Sequence, residues 1–161
     1  MLTRGPSWPL GSGAVDSARE IENLLYTYAE RIDRGDFDGV AELFTHGRIE
    51  GVEGGGPETV FGGRDRVRAL YGMTTRIHDE TGTPRTKHLC TNAIIEVDEE
   101  AGTATSRSNY LVCQATPELP LQVVVTGRYR DTFQRIDGRW WFDTRTMYVD
   151  QTGDLSHHLL I

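Results

Sequence analysis

Cysteine is nearly missing from this chain: Cys90 and Cys113 are the two among 161 residues, and neither sits in a C-x-x-C. Two thiols cannot build a disulfide framework, so each is read as a buried, reduced side chain. Long apolar runs are missing too. None approaches the roughly 18–20 residues needed to cross a bilayer, and the opening MLTRGPSWPLGSGA is broken every few residues by Gly or Pro, unlike a secretory leader. Positive charge is short, with 17 Lys+Arg against 24 Asp+Glu and a net charge of −7. A polyanion-binding surface needs a basic patch, so nucleic acid is not an expected partner. Metal-ligand spacing is lacking, since His46, His78, His88, His157 and His158 form no His-x-x-x-His pattern and no Cys/His cluster. A G-x-S-x-G elbow is absent, and the glycines between 51 and 56 are not followed by the Lys-Ser/Thr of a phosphate loop. These exclusions leave a soluble, cytoplasmic protein with no membrane, metal or nucleic-acid chemistry as the expectation.

What is there suits one globular domain. Hydrophobic residues make up 37% and charged residues 25% of the chain, near ordinary usage, and the length fits a single core. Residues 1–14 mix Gly, Pro and Ser and are read as a flexible tail; the domain is expected over 15–161. From Asp16 to Arg34, Ile21, Leu24, Leu25, Tyr28 and Ile32 recur at spacings of three and four. With Asp16 or Ser17 as a cap and Gly35 as a stop, this predicts an amphipathic helix. Asp36 opens a short second helix carrying Phe37, Val40, Ala41, Leu43 and Phe44. The glycine-rich stretch 47–63 is loop with a short strand at Arg48–Val52, and Arg64–Tyr71 is a third helix.

After Pro84 the pattern changes. Thr86–Val97, Thr103–Ala115, Leu121–Ile136 and Arg139–Val149 are rich in Val, Ile, Thr, Tyr and Trp and are separated by turn-forming clusters, which predicts four consecutive antiparallel strands. Asp137-Gly138 joins the last two as a two-residue hairpin turn. Helices first and a meander afterwards give an α+β fold, a curved antiparallel sheet with helices packed on one face. Trp140 and Trp141 are neighbours and point to opposite faces; burial of both calls for a partner subunit.

Three positions stand out chemically. Asp33 lies in the last turn of the first helix, where the helix dipole disfavours a carboxylate, so it either points to solvent or has a partner. Tyr28, five residues earlier, sits about 140° around the helix and does not align with it. His88 starts a strand with Cys90 and Asn92 on the same face, an unusually polar face for a covered sheet. By alternation Arg145 shares a face with Trp141, Asp143, Met147 and Val149, and its ordinary role is a cross-strand ion pair.

Tyr26-Thr-Tyr28-Ala-Glu-Arg-Ile-Asp33-Arg-Gly35-Asp36, Leu43-Phe44, His88-Leu-Cys-Thr-Asn92, Gly127-Arg-Tyr129-Arg-Asp131 and Asp137-Gly138-Arg-Trp140 together resemble the SnoaL-like family of the nuclear transport factor 2-like superfamily. The resemblance covers about residues 16–150 and is nearest to the branch of scytalone dehydratase, bile-acid 7α-dehydratase and hexachlorocyclohexane dehydrochlorinase. It implies an α+β cone with helices on the concave face of the sheet, an internal pocket and no cofactor. It also implies a His–Asp dyad on His88 and Asp33, with Tyr28 as hydrogen-bond donor and Arg145 as attractor of a departing anion. Tyr110, Asn92, Trp141 and Met147 are the substrate-contacting residues it suggests. The extra acid of the bile-acid enzyme falls on Val112, with Tyr110 and Ser108 the polar groups of that face.

The resulting expectation is a cofactor-independent lyase, dehydratase or dehydrohalogenase, acting on a small apolar cyclic or polyketide-like molecule as a homodimer or homotrimer. A proton-shift isomerase or cyclase, a non-catalytic small-molecule binder, and an assembly subunit like the dioxygenase small chains are the alternatives, because a fold alone does not fix a function. The closing His157–Ile161 segment either shuts the cavity, packs on a neighbouring subunit or frays.

Overall fold

The first helix follows from its own spacing. In the computed structural model, which describes residues 16–51 and 54–160, α1 spans Ser17–Asp33 and buries Ile21, Leu25, Tyr28, Ala29 and Ile32, one apolar stripe of an amphipathic helix. Asp16 caps it by accepting the amide proton of Ala18 at 3.2 Å, which satisfies one donor that a helix start leaves free. Gly35 ends it with a φ of +72°, a conformation that costs a residue without Cβ little. The amides of Gly35 and Asp36 donate to Ile32 and Arg31 carbonyls, each at 3.0 Å, the bond pair of a Schellman ending. Asp36 then caps α2, Phe37–Leu43, through the Gly39 amide at 2.8 Å. The expected tail at 1–14 lies outside the described residues.

Two short strands follow, β1 (Arg48–Glu50) and β2 (Val60–Gly62), then α3 over Gly63–Thr74. The long strands are β3 (Thr86–Asp98), β4 (Thr103–Gln114), β5 (Gln122–Ile136) and β6 (Arg139–Thr152), paired antiparallel in sequence order. At the β5–β6 turn Asp137 and Gly138 have φ of +50° and +80°, as a type I′ hairpin requires. The sheet order is β2-β1-β6-β5-β4-β3. Because β1 runs parallel to β6, the sheet is mixed, where an antiparallel one was expected. A three-residue strand carries too little periodicity to reveal its partner, yet it delivers Ile49, fully buried, to the core.

Bulges reset which side chains face inward. In β3 the register slips between Thr91 and Ile94, and Asn92 sits there with a φ of +54°. In β6, Thr132 pairs with Thr144 but Phe133 pairs with Phe142, so Asp143 is the extra residue. Phe142 and Arg145 are therefore both buried, whereas strict alternation would separate them. The helices cover the concave face, with Phe142 stacked on Phe44 at 4.8 Å and tilted on Phe133 at 4.9 Å between centroids. Each such burial contributes about 1.5–3 kcal/mol. Trp140 is buried in this core. Trp141 is half-buried on the opposite face, with the His46 ring at 4.8 Å and the Arg139 guanidinium at 4.2 Å against it.

A Cβ at Gly35 would lie 3.1 Å from both the Gly82 carbonyl oxygen and Ile77 Cδ1. Gly35→Ala is expected to lower unfolding free energy by about 1–2 kcal/mol, read from urea midpoints; an unchanged midpoint would mean that this turn does not need the left-handed residue.

Candidate active site

The helix end and the first residues of β3 bring two titratable groups together. Asp33, held in the last turn of α1, places Oδ1 2.6 Å from His88 Nδ1. The same carboxylate accepts the His88 amide at 2.9 Å and the Thr86 hydroxyl at 2.8 Å. Side-chain exposure is 9% for Asp33 and 8% for His88, so this pair is shielded from the solvent that weakens surface ion pairs. Burial pushes the Asp33 pKa up, but the His88 hydrogen bond and charge, the His88 amide and the Thr86 hydroxyl outweigh it, leaving the carboxyl below its ordinary value. An ionised Asp33 accepting at Nδ1 fixes the tautomer in which Nδ1 carries the proton and Nε2 is free. The unfavourable helix-end position of Asp33 is thus compensated by three donors.

Tyr28 and Arg145 belong to a second cluster. Arg145 is fully buried, with Nε and Nη2 donating to the two Asp131 carboxylate oxygens at 2.8 and 2.9 Å. Its guanidinium lies 4.0, 4.2 and 4.7 Å from the ring centroids of Tyr129, Tyr28 and Phe142. The cross-strand ion pair is present, then, but in the interior, and Asp131 already neutralises the charge expected to receive a departing anion. Nη1 has no hydrogen-bond partner among the described residues. The Tyr28 hydroxyl is 2.6 Å from that of Tyr71. Burial raises both phenol pKa values, with the Arg145 charge opposing it at each, so both hydroxyls keep their protons. Cys90, half-buried between the two clusters, has a thiol pushed up by burial, against the pull of Arg145.

The remaining expected contacts divide. Tyr110 faces inward, stacks on Tyr129 at 4.3 Å and donates to the Tyr148 carbonyl at 3.1 Å. Met147 is partly buried against the core. Asn92 is exposed, because the β3 bulge takes it off the His88 face, and Trp141 faces away from the interior because of the Asp143 bulge. Both expected contacts are corrected by those two extra residues. A groove of about 460 Å³ along the α1–β3 seam borders the dyad and opens partly to solvent, with Tyr26, Glu30, Lys87 and Leu89 on its walls; the interior itself is filled by tyrosines around Arg145. Sequence reasoning missed Asp131, Tyr71 and His158. Asp131 was within reach, since Gly127, Tyr129, Asp131 and Phe133 alternate inward along β5.

His158 enters from the other end of the chain. The C-terminal segment packs on this chain, and its His158 ring is 6.3 Å from that of His88. Burial first and the nearby His88 second lower the His158 pKa to about 4, Asp33 opposing them. Among the described residues, no group of three or more His, Cys, Asp or Glu is placed to hold a metal ion, and no helix is long and apolar enough to cross a membrane.

The sequence profile described as SnoaL-like domain matches residues 14–146. Among solved structures, the chain is similar to Rv3472 of Mycobacterium tuberculosis, a protein of unknown function, with 26% identity, TM-score 0.66, and coverage of 83% of this chain and 72% of that one. It is also similar to a candidate scytalone dehydratase of Novosphingobium aromaticivorans, with 27% identity, TM-score 0.64, and coverage of 85% and 86%. An NTF2-like protein with a cystatin-like fold from the same organism shares 23% identity over 87% of this chain and 85% of that one at TM-score 0.68, a likeness of fold. No protein of curated function matches the sequence.

Asp131→Asn leaves the Arg145 charge buried without its counter-ion, and a loss of about 3–5 kcal/mol in chemical denaturation is expected. Folding holds His158 neutral between its lowered pKa of about 4 and the ordinary 6.5. In that window the unfolded chain binds more protons, so stability rises with pH by up to about 3 kcal/mol in total. Melting temperatures measured from pH 4 to pH 7 are expected to climb in the wild type and to climb less steeply in His158→Gln; parallel curves would remove His158 from the acid response.

Proposed function

The chain belongs to the SnoaL-like domain family, which includes dehydratases and cyclases, and on that premise we propose that it is a cofactor-independent lyase of the dehydratase or dehydrohalogenase type. The observation that carries this reading is the buried 2.6 Å contact between Asp33 and His88. His88 Nε2 takes a proton from a substrate carbon next to a carbonyl, the C–H electron pair passing into an enolate. Collapse of the enolate forms the C=C bond and expels the leaving group, which departs as water after taking the proton back from the imidazolium, or as halide. Asp33 holds the Nδ1–H tautomer and stabilises the imidazolium. Tyr28, buried and paired with Tyr71, does not line the groove beside the dyad, so the enolate oxygen is not assigned to its hydroxyl. The groove of about 460 Å³ suits a small ring compound.

Val112, paired directly opposite His88 and buried, favours a second reading, a single-base isomerase or cyclase, or binding without turnover. Chemistry that needs a second carboxyl next to the base has no group for it at that position. His88→Gln and Asp33→Asn are each expected to lower kcat on a hydroxylated cyclic ketone by about 10²–10⁴-fold with circular dichroism unchanged. Turnover at wild-type rate in either variant removes the dyad mechanism.

A further inference from the structure

The C-terminal segment is fastened without the help of its own histidine side chain at 158. The Arg76 amide donates to the His158 carbonyl, the Leu160 amide to the Thr74 carbonyl, and Gln114 Nε2 to the His157 carbonyl, each at 2.9 Å. Thr75 and Leu159 add a bridge. These bonds use backbone of residues 157–160 and would survive replacement of the imidazole. The His158 side chain is nonetheless buried at 8% exposure, and its Nδ1 has no hydrogen-bond partner among the described residues. A buried, unpaired nitrogen costs stability, and an apolar ring would fill the same space without that cost.

That nitrogen belongs to a ring 6.3 Å from His88, at an interplanar angle of 64°. A ligand seated against His88 Nε2 therefore has this second ring beside it. Ser108 Oγ, on the inward face of β4, is a further buried polar atom without a partner. We infer that His158 is a second substrate-binding imidazole, which donates a hydrogen bond to a carbonyl or phenolic oxygen of the ligand while His88 acts on the adjacent carbon. This deepens the proposed lyase reading and rests on it: the ligand is a ring compound whose oxygen gains negative charge as the proton leaves. Its pKa near 4 keeps His158 neutral at pH 7, so it acts through its N–H dipole and brings no charge that would compete with the His88 imidazolium.

The test uses the full chain with ¹⁵N-labelled histidine, titrated at pH 7 with 2-naphthol, a planar phenol that mimics an enolate oxygen, while the imidazole ¹⁵N signals are followed. His88→Ala and His158→Phe assign the signals. Both the His88 and His158 signals are expected to move with one common Kd. His158→Phe is expected to fold with a melting temperature no lower than wild type and to bind 2-naphthol about tenfold more weakly. Movement of His88 alone, or equal affinity in His158→Phe, overturns this inference and leaves the dyad reading standing. Movement of neither overturns both.

Discussion

A guanidinium with no exposure to water is the constraint around which this cone is arranged. Arg145 can be charged there because Asp131 takes two of its donors in a forked pair and three aromatic faces surround the rest. Those faces come from different elements: Tyr28 from α1, Tyr129 from β5, Phe142 from β6 itself. The arginine therefore ties the helix layer to the sheet at mid-height. Once Tyr28 is seated over it, the remaining turn and a half of α1 carries Asp33 to the start of β3, and the Schellman ending at Gly35 stops the helix with that carboxylate facing His88.

This arrangement separates two kinds of polar chemistry. At the cone's centre the charge is neutralised within the protein, and the tyrosines around it are held protonated by burial. At the α1–β3 seam, an acid and an imidazole meet beside a groove, with one ring nitrogen uncommitted. The first cluster is a structural device in which only the Arg145 Nη1 group is left without a hydrogen-bond partner among the described residues. The second has the parts for moving a proton. Cys90 lies between them, and the C-terminal segment brings His158 up to the dyad from outside the motif-bearing part of the chain.

Much of this was legible beforehand, for reasons that are local. The α1 stripe, the caps at Asp16 and Asp36 and the Asp137-Gly138 turn depend on residues within a few positions of one another, where propensity and capping decide. The four long strands were legible from β-branched and aromatic runs. Asp33 was suspect because a carboxylate at a helix C-terminus needs a reason, and the resemblance supplied His88 as that reason. Asn92 and Trp141 were misplaced because one extra residue in a strand inverts the faces on one side of it relative to the other, and nothing in a period-two pattern marks where it falls. The parallel pairing of β1 was hidden for a similar reason, since three residues show no period.

By itself, then, the sequence determined the helices, the long strands, their order and the family, because these rest on short-range hydrogen bonding and on which side chains recur at helical or strand spacing. Only the tertiary structure decided that Arg145 is a buried counter-ion to Asp131, that Tyr28 hydrogen-bonds Tyr71, and that His158 stands beside His88. Those contacts come from strand pairing, from helix packing and from the chain end folding back, and none is local in the sequence. Their energies depend on burial, which exists only once the layers have closed.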